Sequence, residues 1–468
     1  MTPIQPEGDI LSRRSSTLRG RLMRGFSATA LSPVVTAVVQ LVSVPVLLHA
    51  WGAAKYGDWL LLSAIPSYLT LSDLGFGNAS GSDMSMRVAA GDRKGALETF
   101  QSSWVLVTIT SFTALLLASV AVWRVPWQRW LRLTTTSNLN AAEIILVFCA
   151  YVIAAQQNGV AESGYRCDGH FAAGAFWNTM QRLCEAVAGT TVAVMDGSLL
   201  AVALTYLGAR CVGSLGYALL LRHKSPWLRY GVRHAKLTTI RKMVAPALGF
   251  IALPAGTALS LQGFTIVVGA SMGPVAVVSF STLRTLSRLT FQAVSVVTNA
   301  LWPELSRAFG AGNISLARRL HRHACQASLG VSVLGGVLLW VFGPSIYHVW
   351  IRQKVPFDAT CFHILLFVAA VNSLWNTSSV ISMSVNGHCR IAAIYVGAAI
   401  ASLGIAWVLI PPLGEAGAAL ALLAADSWMA AIALRTALRQ VEDSHKKFLG
   451  ALFVIPRLRE PLQPATEA

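Results

Sequence analysis

The sequence predicts an all-α, polytopic membrane protein with about twelve transmembrane helices in two pseudo-symmetric six-helix lobes. Three observations lead there. The 468 residues are 54% hydrophobic and only 12% charged, with a mean hydropathy of +0.58, far too apolar for a soluble globular chain of this length. Twelve hydrophobic segments each come near the roughly 20 residues that cross a bilayer. Two stretches 221 residues apart also repeat one another in a single register. Pro33 pairs with Pro254, Gly52 with Gly273, Asn78-Ala79 with Asn299-Ala300, Asp83 with Glu304, Ala90-Gly91-Asp92 with Ala311-Gly312-Asn313, and Ala96 with Ala317. Internal duplication in a polytopic membrane protein marks a transporter, because two similar bundles can rock about a site between them.

A basic segment, 1–25, comes first. The apolar run at about 26–50 is long and lacks the small-residue cleavage site of a signal peptide, so it is expected to be retained as span one. Five spans follow at about 59–76, 100–123, 141–160, 173–195 and 199–221, completing an N-lobe over 26–221. The most basic stretch, 222–242, runs from Arg222-His223-Lys224 to Arg241-Lys242 and reads as a cytoplasmic linker lying on the anionic leaflet. A C-lobe over 243–434 holds six spans at about 243–269, 275–301, 324–343, 360–384, 391–412 and 417–434, and a tail occupies 435–468. An even number of spans per copy makes the lobes parallel.

The net charge of +17 is explained by where the positive residues sit. With the N-terminus inside, 27 of the 37 Lys and Arg fall in cytoplasmic segments, six in outside loops and four within spans. By the positive-inside rule both termini are expected in the cytoplasm, and no nucleic-acid partner is needed. The linker has few stacking aromatics beyond Trp227 and Tyr230. Seven scattered cysteines without C-x-x-C spacing indicate neither a disulfide framework nor a zinc site. His321-Arg322-His323 has no third ligand nearby and reads as a solvated charge run. The longest outside loop, 124–140, is too small to fold as a catalytic domain, and its Trp127 and Trp130, with Trp123, suit an interfacial belt. No D-x-D, H-E-x-x-H, G-x-S-x-G or P-loop occurs, so no catalytic residue, metal or cofactor is expected and the chain reads as a non-enzyme.

The first repeat reads Trp51-Gly52-Ala53-Ala54-Lys55-Tyr56-Gly57-Asp58-Trp59, then a span ending Ser72-Asp73-Leu74-Gly75-Phe76-Gly77-Asn78-Ala79, then Ala89-Ala90-Gly91-Asp92. On these residues the chain resembles the polysaccharide transporter branch of the multidrug/oligosaccharidyl-lipid/polysaccharide exporter (MOP) superfamily, which includes the O-antigen flippases. That branch shows a Gly-x-x-x-Tyr-Gly-x-Trp turn after span one, an Asp-Leu-Gly-hydrophobic-Gly ending to span two and a Gly-Asp turn before span three. The match extends to the second copy through Gly310-Ala311-Gly312-Asn313 and Ala317, and in span count it covers nearly the whole chain. The resemblance implies a cargo consisting of a glycan on a polyprenyl diphosphate. Gly75 and Gly77 are expected to permit a close helix approach or a break. The prolines at 33, 66, 246 and 254 are expected to bend helices.

Four arginines fall inside spans. Each costs roughly 2.5–3.5 kcal/mol at a helix centre, so four facing lipid would cost on the order of 10–14 kcal/mol, and they are expected to face protein or a wet cavity. Arg284 and Arg288 lie one turn apart on span eight, and Gln292, Ser295 and Asn299 continue the stripe, whereas the first copy has Ser63 and Ser67 at the arginine positions. Guanidinium groups bind phosphate bidentately and keep their charge. The substrate-binding candidates are therefore Arg284, Arg288, Arg210, Gln292, Asn299 and Arg182. Arg182 has Glu185 three residues on, near enough for an intrahelical pair. Glu185, Asp426 in span twelve and Asp73 at the end of span two are the ion-coupling candidates, each weighed against a role as a pair or cap. Asn372, Asn376, Gln156, Gln157 and Asn158 suit sugar hydroxyls or helix joining, with joining favoured.

The reading is a flippase or exporter that moves a polyprenyl-diphosphate-linked oligosaccharide across the inner membrane by alternating access. It would serve synthesis of O-antigen, capsule or exopolysaccharide. The expected partners are the lipid-linked oligosaccharide, anionic membrane lipids and a polysaccharide polymerase. Three alternatives stand beside it. An ion-coupled small-molecule antiporter of the same superfamily would favour an acidic cavity. A lipid II flippase commonly has fourteen spans. A membrane polysaccharide polymerase or ligase would need a larger outside loop.

Overall fold

The computed structural model describes the backbone over residues 18–452 except 74, 353 and 386. It describes the side chains from 32 onward, except at those three positions and at 73, 78, 245, 246, 248–250, 299, 300, 303 and 388. The side chains of Asp73 and Asn299, both singled out from the sequence, therefore lie outside the described residues.

Helix occupies every one of the twelve expected spans, and no strand occurs among the described residues. The N-lobe contains α1 (Leu18–Ala64), a 3₁₀ segment (Pro66–Asp73), α2 (Phe76–Ala89), α3 (Arg93–Val122), the short α4 (Trp127–Trp130), α5 (Asn138–Cys167), α6 (Phe171–Val194) and α7 (Leu199–Lys224). The C-lobe contains α8 (Leu237–Ala258), a π-helical turn (Leu259–Gly263), α9 (Phe264–Met272), α10 (Pro274–Gly310), α11 (Ile314–Ile351), α12 (Ala359–Ser384), α13 (His388–Leu413) and α14 (Glu415–Gln440), followed by α15 (His445–Leu452). Ser137, Ser198 and Asp358 cap α5, α7 and α12 by accepting a backbone N–H three residues on, which places those starts where short polar side chains precede apolar runs.

By length and composition, nine helical stretches among the described residues can cross a membrane, and one of them, Ser32–Ser72, covers spans one and two. The expected spans missing from this set are α6 and α10. These two carry Arg182 with Glu185, and Arg284 with Arg288, so their polar residues lower the mean hydropathy of otherwise bilayer-length helices.

Two boundaries differ from expectation. Span two, expected at 59–76, leaves α-helical geometry at Ala64, because Pro66 disfavours helix in the residue before it. It continues as the 3₁₀ segment and then as α2 to Ala89, with Gly75 in the left-handed region (φ 76°) at the break. The linker expected at 222–242 is non-helical only over 225–236. It is also fastened to the start of α3. Gln101 donates to the Arg229 carbonyl (2.9 Å) and accepts from the His234 N–H (2.7 Å), Ser102 accepts from the Lys236 N–H (2.9 Å), and Glu98 pairs with Lys236 (2.6 Å).

The duplication is visible in the backbone. Gly52 (φ 74°, ψ 171°) separates the two halves of α1, and Gly273 (φ 88°, ψ 178°) separates α9 from α10. No L side chain adopts that conformation cheaply. Gly91 and Gly312 both have positive φ, Asp92 and Asn313 both cap the next helix, and Ala96 and Ala317 are both fully buried. The equivalence also reaches residues the sequence does not match. Phe100 meets Tyr230 of the linker in a tilted ring contact (5.1 Å), and its counterpart His321, fully buried rather than solvated as the sequence suggested, stacks on Phe448 of α15 (5.4 Å). The next residue along, Gln101 or Arg322, holds the same returning segment, Arg322 through a two-bonded pair with Asp443 (2.7 and 2.5 Å). In each lobe, the segment after the sixth span folds back onto the third.

The two lobes share an apolar core at the end where Gly52 and Gly273 lie. Leu47, Leu48, Leu61 and Phe148 pack there with Val277, Phe280, Tyr347 and Ile410. At the opposite end the cores separate into one around Phe100, Tyr165 and Tyr217 and another around Leu305, Leu320 and Ile381. The first of these also takes in Met243 and Ala247 from the start of α8. The shared end is tight. A Cβ at Gly57 would lie 2.3 Å from the Pro274 carbonyl oxygen, Trp350 donates to the Leu41 carbonyl (2.6 Å), and Arg132 donates to the Ser271 carbonyl (2.7 Å). Asp58 is fully buried and accepts from the Thr134 and Thr135 N–H groups (3.2 and 2.9 Å) and from the Thr135 and Thr136 hydroxyls (2.7 and 3.0 Å), pinning the 124–137 loop.

Candidate functional site

α10 rises from the Gly273 turn and presents Arg284, Arg288, Gln292 and Ser295 at one-turn spacing along a single face, as the 3.6-residue period requires. That face borders two spaces. One, of about 1470 Å³, lies between the lobes and is bounded by α1 (Ser32, Thr36, Gln40, Ser43, Tyr56, Ser63) and by Gln262, Thr265, Ser281, Thr285 and the α10 stripe. The other, of about 1090 Å³, lies within the C-lobe among α8, α10, α12, α13 and α14. Arg284 and Arg288 line both.

The two arginines are held differently. Arg284 donates to the Leu261 carbonyl (3.0 Å) and to Thr265 Oγ1 (3.1 Å) and lies over the Phe280 ring. Leu261 belongs to the π-helical turn, where the hydrogen-bond ladder is interrupted, as is common at functional positions. Arg288 makes no hydrogen bond among the described residues and rests over the Phe291 ring at 5.4 Å. Gln292 reaches across the lobes and donates to Gln40 Oε1 (3.2 Å), while its own Oε1 is buried without a partner. The interlobe cavity thus holds two guanidinium groups and many hydroxyls and amides, with no carboxylate among its lining residues.

Arg210 and Arg182 sit elsewhere. Arg210 pairs with Glu185 at 2.7 Å, with both side chains at most 10% exposed, and also donates to Tyr151 Oη (2.6 Å), which itself donates to the same Glu185 oxygen (2.9 Å). The intrahelical pair expected between Arg182 and Glu185 does not form. The buried carboxylate takes the arginine of the neighbouring helix α7, and Arg182 is exposed. Arg210 is therefore committed to joining α5, α6 and α7 rather than lining the interlobe cavity.

Asp426 is 7% exposed and lines the C-lobe cavity. Its Oδ1 accepts from Asn372 Nδ2 (2.9 Å) and Trp375 Nε1 (2.7 Å), and no arginine among the described residues lies within ion-pair distance. Asn376 lines the same cavity. Gln156 joins helices, donating to Ser72 Oγ and the Leu69 carbonyl and accepting from Ser111, and Asn158 donates to Gln181 (3.0 Å). Sequence reasoning missed three participants. Trp375 orients Asp426, and a tryptophan in an apolar run gave no cue. Gln40 faces Gln292 across the cleft, and its counterpart at position 261 is Leu. Glu415, buried at the start of α14, accepts from Ser279 (2.7 Å) and is a charge in a segment otherwise read as a helix start.

No family model matches the sequence, and no curated protein matches it. Solved structures do. The inward-facing conformation of a multidrug resistance MATE family transporter of the MOP superfamily aligns with TM-score 0.74 at 13% identity, over 86% of this chain and 94% of that one. The outward-facing conformation of a transporter so described aligns with TM-score 0.67 at 13% identity, over 91% and 96%. A MOP superfamily transporter from Pyrococcus furiosus, described by a binding pocket of reverse polarity that suggests a different function, aligns with TM-score 0.67 at 12% identity, over 91% and 96%. At such identity the likeness concerns the fold: this chain has the two-lobed, twelve-helix fold of the MATE transporters of the MOP superfamily.

Proposed function

We propose that the chain is an alternating-access transporter that carries a polyprenyl-diphosphate-linked oligosaccharide across a bacterial inner membrane for cell-surface polysaccharide synthesis. The observation that carries the proposal is the lining of the interlobe cavity among the described residues: two arginines, a wall of neutral hydroxyls and amides, and no acid. A diphosphate offers guanidinium groups charge-assisted, bidentate bonds about twice as strong as neutral ones. Sugar hydroxyls match Ser, Thr and Gln side chains. With the termini in the cytoplasm, the shared apolar core closes the periplasmic end and the cargo enters from inside, its polyprenyl tail remaining in lipid. Parting of the lobes at Gly57 and Pro274, with closure at the other end, delivers it outward.

A second reading is an ion-coupled small-molecule antiporter. It is favoured by the multidrug resistance transporters among the similar structures and by the buried carboxylate of Asp426 in the C-lobe cavity. Deleting the gene in its host and analysing lipid-linked sugars separates the two. Accumulation of polyprenyl-linked repeat units on the cytoplasmic leaflet supports the flippase. Unchanged lipid-linked sugars together with new sensitivity to small toxic compounds support the antiporter.

A further inference from the structure

Arg288 occupies an unusual position. It lines the interlobe cavity on one side and the C-lobe cavity on the other, and no hydrogen bond among the described residues fixes it to either. Its neighbour Arg284 lines both spaces too, but two hydrogen bonds to the π-helical turn and Thr265 anchor it. A guanidinium keeps its charge at any working pH. Held within a membrane protein without a counter-charge it is costly, so it turns toward whichever anion is at hand. On the C-lobe side that anion is Asp426, whose Oδ1 is occupied by Asn372 and Trp375 while Oδ2 accepts neither of these bonds. On the interlobe side the lining holds no acid among the described residues, so the anion that Arg288 would meet there is one that arrives with the cargo.

We infer that Arg288 is shared between two anions, the Asp426 carboxylate and the anionic group of the cargo, so that a proton taken by Asp426 hands the arginine over to the cargo. The inference rests on the proposal that the interlobe cavity receives an anion. The step is a single protonation: an aqueous proton adds to the Asp426 carboxylate, the carboxylic acid no longer attracts Arg288, and the side chain turns to the interlobe side. The reverse follows when the proton leaves. The charged and titratable groups facing Asp426 are Arg284 and Arg288 from α10 and the Tyr395 hydroxyl from α13. Among the described residues α12 contributes only neutral side chains, Asn372, Asn376 and Trp375 among them, α8 contributes Thr257 and Leu253, and the π-helical turn contributes Ser260 and Leu261. The next acid on α14 itself is Glu415, three turns away. Asp426 is therefore the group that decides the local charge. Proton and anion then bind with positive linkage, each strengthening the other by the same factor.

The test uses the purified full-length protein in lipid nanodiscs and a prenyl sulfonate, an amphiphilic anion whose own charge does not change with pH. Its affinity is expected to fall roughly 5- to 150-fold, the range typical of coupled sites, as the pH rises from about 5 to about 9. Asp426→Asn should bind at the tight, low-pH level throughout, and Arg288→Ala weakly throughout. Binding to the unmodified protein should take up protons from a weakly buffered solution, a measurement that needs no variant to fold. Affinity independent of pH, without proton uptake, but lost in Arg284→Ala/Arg288→Ala would overturn the shared arginine and leave the anion cavity standing. Absence of sulfonate binding at every pH would overturn both.

Discussion

Gly57 offers the sharpest handle on the two-lobed mechanism. A methyl group added there would place its carbon 2.3 Å from the Pro274 carbonyl oxygen, 2.5 Å from the carbonyl carbon and 2.6 Å from the Pro274 Cβ. Comfortable contacts begin near 3.5 Å, so α1 and the start of α10 must separate by roughly 1 Å to admit it. Neither partner can yield locally, because both are backbone within helices. Overpacking of this kind costs about 1–3 kcal/mol, and only the state with the lobes closed at this end bears it. Since 1.4 kcal/mol is a factor of ten in an equilibrium, Gly57→Ala should shift the balance toward opening at the Gly57 end by roughly 5- to 150-fold. The assay is labelling of a single cysteine at Ser43, which lines the interlobe cavity, in a variant without the native cysteines, using a membrane-impermeant maleimide applied from either face. Labelling should rise from the face nearer Gly57 and fall from the opposite face. Unchanged labelling from both faces, in protein that is inserted and stable, would refute the reasoning.

Three further outcomes follow from the geometry. Breaking the buried Arg210–Glu185 pair by Arg210→Ala leaves a carboxylate uncompensated and should cost about 3–5 kcal/mol, read as thermal unfolding of the solubilised protein, whereas Arg210→Met with Glu185→Leu should recover most of it. Asp58→Ala removes the acceptor of four hydrogen bonds to residues 134–136 and should cost about 3 kcal/mol, with faster hydrogen exchange of that loop and little change at the termini. At Asp443, burial acts to raise the carboxyl, but the Arg322 pair outweighs it and holds it below the usual carboxylate range. A depressed carboxyl stabilises fully above its unfolded value and loses that contribution as pH falls through the folded one. Docking of the segment from Asp443 to α15 should therefore persist at pH 5 and loosen only below about pH 4, followed as proteolytic cleavage near Ser444, and Asp443→Asn should loosen it at every pH.

The fold was legible because membrane spans and duplication are written in composition and register. The 221-residue repeat foretold matched backbone at Gly52 and Gly273, where the conformation demands glycine, and matched caps at Asp92 and Asn313. It could not foretell that Phe100 with Tyr230 and His321 with Phe448 form equivalent ring contacts, because Phe100 and His321 keep the register but differ in type, and Tyr230 and Phe448 lie outside the register. At the site, helical periodicity sufficed to put Arg284, Arg288 and Gln292 on one face. What failed was partner choice. Glu185 lies three residues from Arg182, yet it pairs with Arg210 from another helix, since a buried carboxylate is satisfied by whichever guanidinium the packing delivers, and sequence spacing reports only neighbours on the same helix. The two-sided exposure of Arg288 is likewise a property of how α10 sits between two cavities.

The most direct measurement is transport itself. Purified protein reconstituted into liposomes with a fluorescent polyprenyl-diphosphate oligosaccharide is assayed by adding a membrane-impermeant glycosidase and following the fraction of glycan that becomes cleavable. The account predicts that the unmodified protein exchanges the glycan between leaflets and that Arg284→Ala/Arg288→Ala, folded and inserted to the same level, does not. Equal exchange by the two proteins would contradict it.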